Sequence, residues 1–386
     1  MKLYREAASI APGKAVLVLE DGTVFRGRGL GAFGETLGEV CFNTSMTGYQ
    51  EILTDPSYAG QIITFSFPHI GNVGTNDEDI ESRPSTCRGL VVREDITPPA
   101  NWRAQSSLGR WLKDRSLIGI AGVDTRHLVS RIRDRGAPKG CLAFAPDGRY
   151  DVTHLQRAAA QWPGLEGMDL TGEVSCAEPY DWIETPWSID GGYSWAQFAR
   201  RHVVCVDYGA KRNILRCLAG LSCRVTVVPA RTSAASILAL RPNGIFLANG
   251  PGDPSATGVF AVPVIRELLA SGLPIFGICL GHQLLALALG ARTIKMHLGH
   301  RGGNHPVQDL ASGHVEITSH NHGFVVLRES LPPCLEETHT SLFDGSLEGL
   351  RMKDRPVFSV QFHPEASPGP QDSHPLFEQF ANLMSQ

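Results

Sequence analysis

The chain has 386 residues, of which 42% are hydrophobic, and it carries 35 Lys and Arg residues against 39 Asp and Glu residues. This length exceeds one typical core, so the composition predicts two globular domains. The near balance of charge, with no long block of like charge, excludes the usual signatures of a nucleic-acid-binding protein and of a polybasic membrane patch, and leaves small molecules or proteins as partners.

The amino-terminal segment argues against export. Its apolar stretch, MKLYREAASIAPGKAVLVLE, is interrupted by Pro12 and Lys14, and no later apolar run approaches the length of a membrane span. The nine cysteines are scattered without a C-x-x-C pair, which favours reduced thiols over a disulfide framework or a zinc ribbon. We therefore expect a cytoplasmic protein with no membrane segment.

The first part of the chain predicts a mixture of strands and helices. AVLVLEDGTVFRGRGLG has the alternation of a β-hairpin with Asp21-Gly22 as its turn, and QIITFSF alternates in the same way. VDTRHLVSRIRDRGA predicts a helix that Asp124 or Thr125 caps at its start and Gly136 at its end. This half of the chain is expected to be α+β.

From residue 201 the pattern alternates between apolar strands and amphipathic helices. The predicted strands are HVVCVDYG, CRVTVVPA, NGIFLANG and LPIFGIC, and the predicted helices lie in KRNILRCLAG, SAASILAL, AVPVIRELLAS and HQLLALALG. Such alternation predicts an open, mostly parallel sheet with helices on both faces, whose ligands bind at the carboxyl ends of the strands. The expected fold is α/β: an amino-terminal α+β domain at 1–160, an aperiodic connecting segment at 161–200 and the larger open-sheet domain at 201–386.

Cys279 lies where a predicted strand gives way to a predicted helix. Gly277-Ile278-Cys279-Leu280-Gly281 has the G-x-nucleophile-x-G form of a nucleophile elbow, a tight turn that holds a reactive atom above the sheet. The helix N-terminus there favours the thiolate, and the N–H of Leu280 is placed to serve as half of an oxyanion hole. A buried cysteine packed beside a glycine-rich helix start has the same local sequence, so this motif alone does not separate catalysis from packing.

A second stretch, VFSVQFHPEASPGP, supplies the partners that a cysteine nucleophile needs. His363 and Glu365 follow a strand-like run, and Pro364 favours an extended backbone in which both side chains point to one side. Alone, the tripeptide is typical of a turn with a solvated carboxylate. Together with the elbow, it predicts a triad of Cys279, His363 and Glu365.

A third stretch, FLANGPGDPSATG, places a glycine-rich loop at the end of another predicted strand. Such a loop lets backbone N–H groups approach a developing oxyanion closely. An ordinary Pro-Gly turn between a strand and a helix accounts for the same residues equally well.

The motifs resemble those of a known family. GICLGHQ, NGPGDP and FHPEASPGP are together similar to the class I glutamine amidotransferases, which hydrolyse the side-chain amide of glutamine and pass the ammonia to a synthase. The first half, with GEVCFNTSMTGYQEILTDPSYAGQIITFSFPHIGNVGTN and GVDTRHLVSRIRDRGAPKG, resembles the small subunit of carbamoyl-phosphate synthase, as does DYGAKRNILRCL. The resemblance covers nearly the whole chain. It implies a glutaminase subunit, in a heterodimer or a higher oligomer of heterodimers, that delivers ammonia to a large subunit making carbamoyl phosphate from bicarbonate and ATP, for arginine and pyrimidine synthesis.

The resemblance also implies roles for individual residues. Cys279 would form a glutamyl thioester, His363 would be the acid and base, and Glu365 would orient His363. The amides of Gly250 and Leu280 would form the oxyanion hole, and L-glutamine would contact the following residues: Ser57, Gly252, Gln283, Asn321, Gly323 and Phe324. Because Ser57 belongs to the amino-terminal domain, its assignment implies that this domain closes over the substrate.

No cofactor is expected in this chain. It lacks the G-x-x-x-x-G-K-[ST] phosphate loop, and the resemblance assigns ATP and the divalent metal to the large subunit. The histidines of HLGHRGGNHP and SHNHGF suggest a metal site, but these stretches contain no H-E-x-x-H motif and no acidic residue at a spacing typical of a metal ligand. We therefore expect no metal at their histidines, which are His297, His300, His305, His320 and His322.

Two other functions fit part of the pattern. A hydrolase of γ-glutamyl or peptide bonds would use the same triad, but it would have no use for the amino-terminal domain. A purely structural subunit of a synthase would have no need of a nucleophile and a base.

Overall fold

The protein divides into two compact units, 1–166 and 167–386. The computed structural model describes residues 14–82 and 85–385. Residues 167–200, most of the segment interpreted from sequence as a connection, are grouped with the second unit. No helix in the described residues has both the length and the apolar character needed to cross a membrane.

The described part of the first unit is built on a closed barrel, with strand order β1-β2-β6-β5-β4-β3-β7. The strands are β1 (Lys14–Leu19), β2 (Val24–Gly31), β3 (Gly34–Asn43), β4 (Gln61–Phe65), β5 (Gly89–Val91), β6 (Ile118–Ala121) and β7 (Lys139–Phe144). The helices are α1 (Tyr49–Thr54), α2 (Leu108–Asp114), α3 (Thr125–Arg135) and α4 (Val152–Gln161). Parallel and antiparallel strand pairs both occur in this barrel, as with β1 and β2 and with β3 and β4.

Two local predictions in this unit are confirmed. The strands β1 and β2 form the expected antiparallel hairpin, with Val18 opposite Val24 and Gly22 of the turn at a φ of 84°. Of the two candidate caps of α3, it is Asp124 whose side chain accepts a hydrogen bond from the backbone of His127, at 3.0 Å. Both features depend on short-range turn and cap chemistry, which a sequence displays directly.

The second unit is built on one large sheet with the strand order β14-β13-β15-β16-β17-β12-β11-β9-β10-β8. The strands are β8 (Tyr180–Trp182), β9 (Arg201–Asp207), β10 (Cys223–Pro229), β11 (Gly244–Leu247), β12 (Ile275–Ile278), β13 (Thr293–Asp309), β14 (Val315–Val326), β15 (Leu335–Ser341), β16 (Leu347–Met352) and β17 (Val357–Val360). The helices are α5 (Thr171–Val174), α6 (Arg212–Gly220), α7 (Ala234–Ala239), α8 (Pro254–Ala270), α9 (Leu280–Ala288) and α10 (Pro375–Leu383).

The centre of this sheet is the predicted parallel core. The strands β17, β12, β11, β9 and β10 are parallel neighbours, while β13 to β16 form an antiparallel extension that the sequence analysis does not assign. Along β11, Ile245 and Leu247 pack with one hydrophobic cluster and Phe246 with another. Because successive side chains of a strand point to opposite faces, both faces of the sheet are buried. The carboxyl edge is therefore where the loops carry chemistry.

Candidate active site

Cys279 occupies the turn between β12 and α9 in a strained conformation. Its φ is 55° and its ψ is −105°, a combination that costs a non-glycine residue about 1–3 kcal/mol and persists only when the surroundings impose it. The side chain is buried, and the backbone N–H donates to the carbonyl oxygen of Val360 at 2.9 Å. The turn therefore fixes the sulfur at the carboxyl edge of the parallel core.

The two glycines of the elbow are required by close packing. A Cβ on Gly277 would lie 2.9 Å from the backbone carbon of Gly281. A Cβ on Gly281 would lie only 2.1 Å from the backbone oxygen of Leu247, on the neighbouring strand. No side chain fits at either position without moving the backbone.

His363 and Glu365 reach the same edge from β17. The strands β12 and β17 pair in parallel with Ile278 opposite Val360, so both chains leave the sheet side by side. His363 Nδ1 lies 2.7 Å from Glu365 Oε1, and both residues are buried. Although burial acts to lower the pKa of His363, Glu365 and Cys279 raise it to about 10. The structure thus brings the three predicted residues together, with His363 charged at neutral pH.

Lys211 is a member of the site that the sequence analysis missed. Its Nζ lies 2.9 Å from Glu365 Oε1 and donates to the backbone oxygen of Ala366 at 2.7 Å. Burial acts to raise the pKa of Glu365, but Lys211 and His363 lower it to about 2. Asn213 adds a hydrogen bond from its side-chain amide to the Glu365 backbone oxygen at 2.6 Å. The sequence feature that marks Lys211 is DYGAKRN, which begins at the last residue of β9 and therefore lies at the same edge of the sheet.

The glycine-rich loop after β11 adjoins the elbow. A Cβ on Gly250 would lie 2.2 Å from the backbone oxygen of Tyr208 and 2.9 Å from a side-chain carbon of Leu280. Gly252 has a φ of 91°, and a Cβ there would lie 2.6 Å from the backbone oxygen of Met168. The loop therefore needs glycine at both positions, and it runs beside the first residue of α9.

The remaining predicted residues of the second unit surround the cysteine. Gln283 on α9 is buried and donates through Nε2 to the backbone oxygen of Phe324 at 2.8 Å. Asn321, Gly323 and Phe324 follow one another along β14. The Cys279 thiol points to the backbone oxygen of Asn321, 3.7 Å from Sγ. This part of β14 therefore lies directly beside the sulfur.

Ser57 belongs to the first unit, in a short 3-10 helix at Pro56–Tyr58. Its backbone N–H donates to the Asp55 carboxylate at 2.9 Å, and its backbone oxygen accepts from Gln61 Nε2 at 3.0 Å. The residue is buried. Its assignment as a glutamine-binding residue stays a prediction.

Three of the five histidines considered from sequence meet a carboxylate in the fold. His300, His320 and His322 each bring a ring nitrogen to a cluster with Glu348. His305 stacks on His320 with ring centroids 4.6 Å apart, while His297 is exposed. The carboxylate escaped the sequence analysis because it lies on β16, far along the chain from the histidine-rich stretches.

Comparisons with known proteins cover both units. The family model described as "Glutamine amidotransferase class-I" matches residues 204–383, and the model described as "Carbamoyl-phosphate synthase small chain, CPSase domain" matches residues 17–142. The carbamoyl phosphate synthase small chain of Bradyrhizobium diazoefficiens is 59% identical over 376 residues, covering 96% of this chain and 95% of that one. The small chain of Ruegeria pomeroyi is 60% identical over 371 residues, covering 96% of each. Sharing this identity over nearly its whole length, the chain belongs to the carbamoyl-phosphate synthase small chain family.

Proposed function

We propose that this chain is the glutaminase subunit of a carbamoyl-phosphate synthase, and that it hydrolyses L-glutamine through a thioester on Cys279. The observation that carries the proposal is the buried Cys279, held in a strained elbow beside His363. The Nδ1 atom of His363 in turn lies 2.7 Å from the buried carboxylate of Glu365. A packing role explains neither the strain nor the buried charge of His363 and Glu365.

Acylation begins when the Cys279 sulfur attacks the side-chain carbonyl carbon of glutamine as a thiolate. The carbonyl oxygen becomes an oxyanion, which accepts hydrogen bonds from the backbone N–H groups of Gly250 and Leu280. The carbon–nitrogen bond then breaks as His363 gives its proton to the leaving nitrogen. Ammonia departs, and a glutamyl thioester remains on Cys279.

Hydrolysis of the thioester returns the site to its starting state. Neutral His363 takes a proton from water, and the hydroxide attacks the thioester carbon. The carbon–sulfur bond breaks, which releases glutamate and restores the thiolate beside protonated His363. Glu365, held by Lys211, keeps the ring oriented and stabilises its positive charge in both steps.

Binding of the substrate glutamine is proposed for the residues around this centre. They are Ser57, Gly252, Gln283, Asn321, Gly323 and Phe324, together with the oxyanion-hole residues Gly250 and Leu280. Ammonia would pass to a large subunit that carries the ATP and divalent-metal sites, for arginine and pyrimidine synthesis. The nine cysteines are free thiols, which supports a reducing compartment, and we propose the cytoplasm.

The test compares wild type, Cys279→Ser and the exposed-cysteine control Cys334→Ala, each assembled with a large subunit. We expect Cys279→Ser to abolish carbamoyl phosphate synthesis from glutamine while synthesis from added ammonia continues. The control should use both nitrogen sources normally. Normal glutamine-dependent synthesis by the Cys279→Ser complex would refute the assigned nucleophile.

The alternatives predict different results in the same preparations. A hydrolase of another amide would release product from a γ-glutamyl peptide faster than ammonia from glutamine. A purely structural subunit would release no ammonia in either the presence or the absence of the large subunit. Cys279-dependent ammonia release that rises with the partner would contradict both alternatives.

A further inference from the structure

A second group of chemically competent side chains lies in the antiparallel extension of the sheet. His300 on β13, His320 and His322 on β14 and Glu348 on β16 are all buried. Each residue offers one ligand atom, and the four atoms lie within 4.8 Å of one another. The reaction proposed above uses none of these four side chains.

Hydrogen bonds determine which nitrogen of two of the rings is free. His322 Nδ1 lies 2.9 Å from the backbone oxygen of Phe324, so Nδ1 carries the proton and Nε2 carries the lone pair. The Thr318 hydroxyl donates to the backbone oxygen of His305 at 2.9 Å. That hydroxyl therefore accepts from His320 Nε2, at 2.7 Å, and the lone pair of His320 is on Nδ1.

A hydrogen bond also determines the free nitrogen of the third ring, that of His300. His300 Nε2 lies 3.0 Å from the Asp344 carboxylate, which can only accept, so Nδ1 carries the lone pair when the ring is neutral. Each histidine thus donates through one nitrogen to a neighbouring oxygen and directs its free nitrogen toward the others. Metal-bound histidines show this pattern, in which an outer hydrogen bond fixes the ring and its tautomer.

The free atoms face one another at short range. His320 Nδ1 lies 3.2 Å from His322 Nε2, His300 Nδ1 lies 3.3 Å from Glu348 Oε1, and His320 Nδ1 lies 3.7 Å from Glu348 Oε2. Among the described residues, His300 Nδ1 and Glu348 Oε2 are buried without a hydrogen-bond partner. Acceptors turned toward acceptors in a buried cluster repel one another unless a positive charge lies between them.

We propose that His300, His320, His322 and Glu348 bind one Zn²⁺ ion. Tetrahedral zinc with bonds of about 2.0–2.1 Å separates neighbouring ligand atoms by about 3.3 Å, which is the spacing of the two closest pairs here. Four protein ligands leave no open position, so the site is structural rather than catalytic. The ion would tie the β13–β14 hairpin to β16 beside Asn321.

A proton is the rival occupant. A single proton between His300 Nδ1 and Glu348 Oε1, which lie 3.3 Å apart, would join that pair of atoms. That proton would leave the lone pairs of His320 Nδ1 and His322 Nε2 facing each other at 3.2 Å. Zinc satisfies all four ligands at once, and a proton satisfies only two.

The test measures zinc in the purified full-length chain. The protein carries Cys279→Ala, so that the thiol of Cys279 cannot bind the metal. This protein is stripped of metal with a chelator, incubated with Zn²⁺ and desalted, and its zinc content is then measured by mass spectrometry. We expect one bound zinc per chain in this background and in the exposed control His297→Asn. The substitutions His320→Asn and Glu348→Gln should each reduce the bound zinc to the level of the stripped protein.

Thermal unfolding of the same background protein, with and without zinc, supplies a measurement that needs no ligand variant. Zinc should raise the unfolding temperature, because a ligand that binds only the folded chain stabilises it. The proposal is overturned if this protein retains no zinc above the stripped level, or if His320→Asn retains as much as the control. It is equally overturned if zinc leaves the unfolding temperature unchanged. None of these results depends on glutamine hydrolysis.

Discussion

Replacing Lys211 by methionine removes one of the two cations, Lys211 and His363, that contact the buried Glu365 carboxylate. Lys211 Nζ and Glu365 Oε1 lie 2.9 Å apart, and both side chains are almost fully buried. The pKa of Glu365 is lowered from its ordinary 4.5 to about 2 by Lys211 and His363 together, and this shift corresponds to about 3 kcal/mol for the two cations jointly at 1.36 kcal/mol for each pKa unit. Removing one partner of a buried ion pair typically lowers the free energy of unfolding by about 3–5 kcal/mol, which is a similar amount.

We therefore expect Lys211→Met to lower the free energy of unfolding of the second unit by about 3 kcal/mol near neutral pH. Because the folded pKa of Glu365 is depressed, its contribution is present above pH 4.5 and is lost as the pH falls toward about 2. The difference between wild type and variant should consequently be smaller at about pH 4 than at about pH 7.

Urea unfolding followed by circular dichroism measures both the loss in the free energy of unfolding and its change with pH. Lys353→Met, which removes an exposed lysine of the same unit, is the matched control and should change stability little. The double variant Lys211→Met/Glu365→Gln should recover much of the lost stability, since it removes the carboxylate that lost its lysine and lets buried His363 become neutral. A Lys211→Met protein as stable as the control near neutral pH would show that the Lys211–Glu365 pair does not stabilise the second unit.

Three further results follow from the elbow and the triad. Gly281→Ala, whose Cβ would lie 2.1 Å from the Leu247 oxygen, should yield little folded protein, whereas Gly172→Ala, with nothing within 4 Å, should express normally. Cys279→Gly should be about 1 kcal/mol more stable than Cys279→Ala in urea unfolding, because glycine relieves the strain at a φ of 55°. Nitrogen NMR of labelled protein should show His363 doubly protonated at pH 8, since its pKa is raised to about 10; a neutral ring there would contradict the assigned charge.

The parts of the fold that the sequence predicted have local causes. Each of these features depends on residues within one turn or one strand of each other. They are the turn of the β1–β2 hairpin, the cap at Asp124 and the individual strands of the parallel core. The elbow is equally local, because its two glycines are required by steric contact at the turn. His363 and Glu365 were recognisable because they adjoin each other.

The parts that were missed depend on residues far apart in the chain. Asn213 and Glu365 are separated by 152 positions, and nothing near Lys211 in sequence announces a buried carboxylate. Glu348 is likewise distant from the histidines that it meets, so a search for nearby acidic ligands passed over it. The strands of the antiparallel extension alternate irregularly between exposed and buried positions, and β-bulges interrupt their register, so they lack a clear period.

The parallel pairing of β12 with β17 sets where the chains that carry Cys279 and His363 leave the sheet, whatever the length of chain between the two strands. Cys279 and His363 lie just beyond the paired residues Ile278 and Val360, so interstrand hydrogen bonds set their separation. A contact from β14 holds the histidine as well, because the His363 backbone N–H donates to the backbone oxygen of Ser319 at 2.8 Å. The strand that supplies Asn321 beside the sulfur therefore also positions His363, so a shift of β14 would move the proposed substrate contacts and the proposed base together.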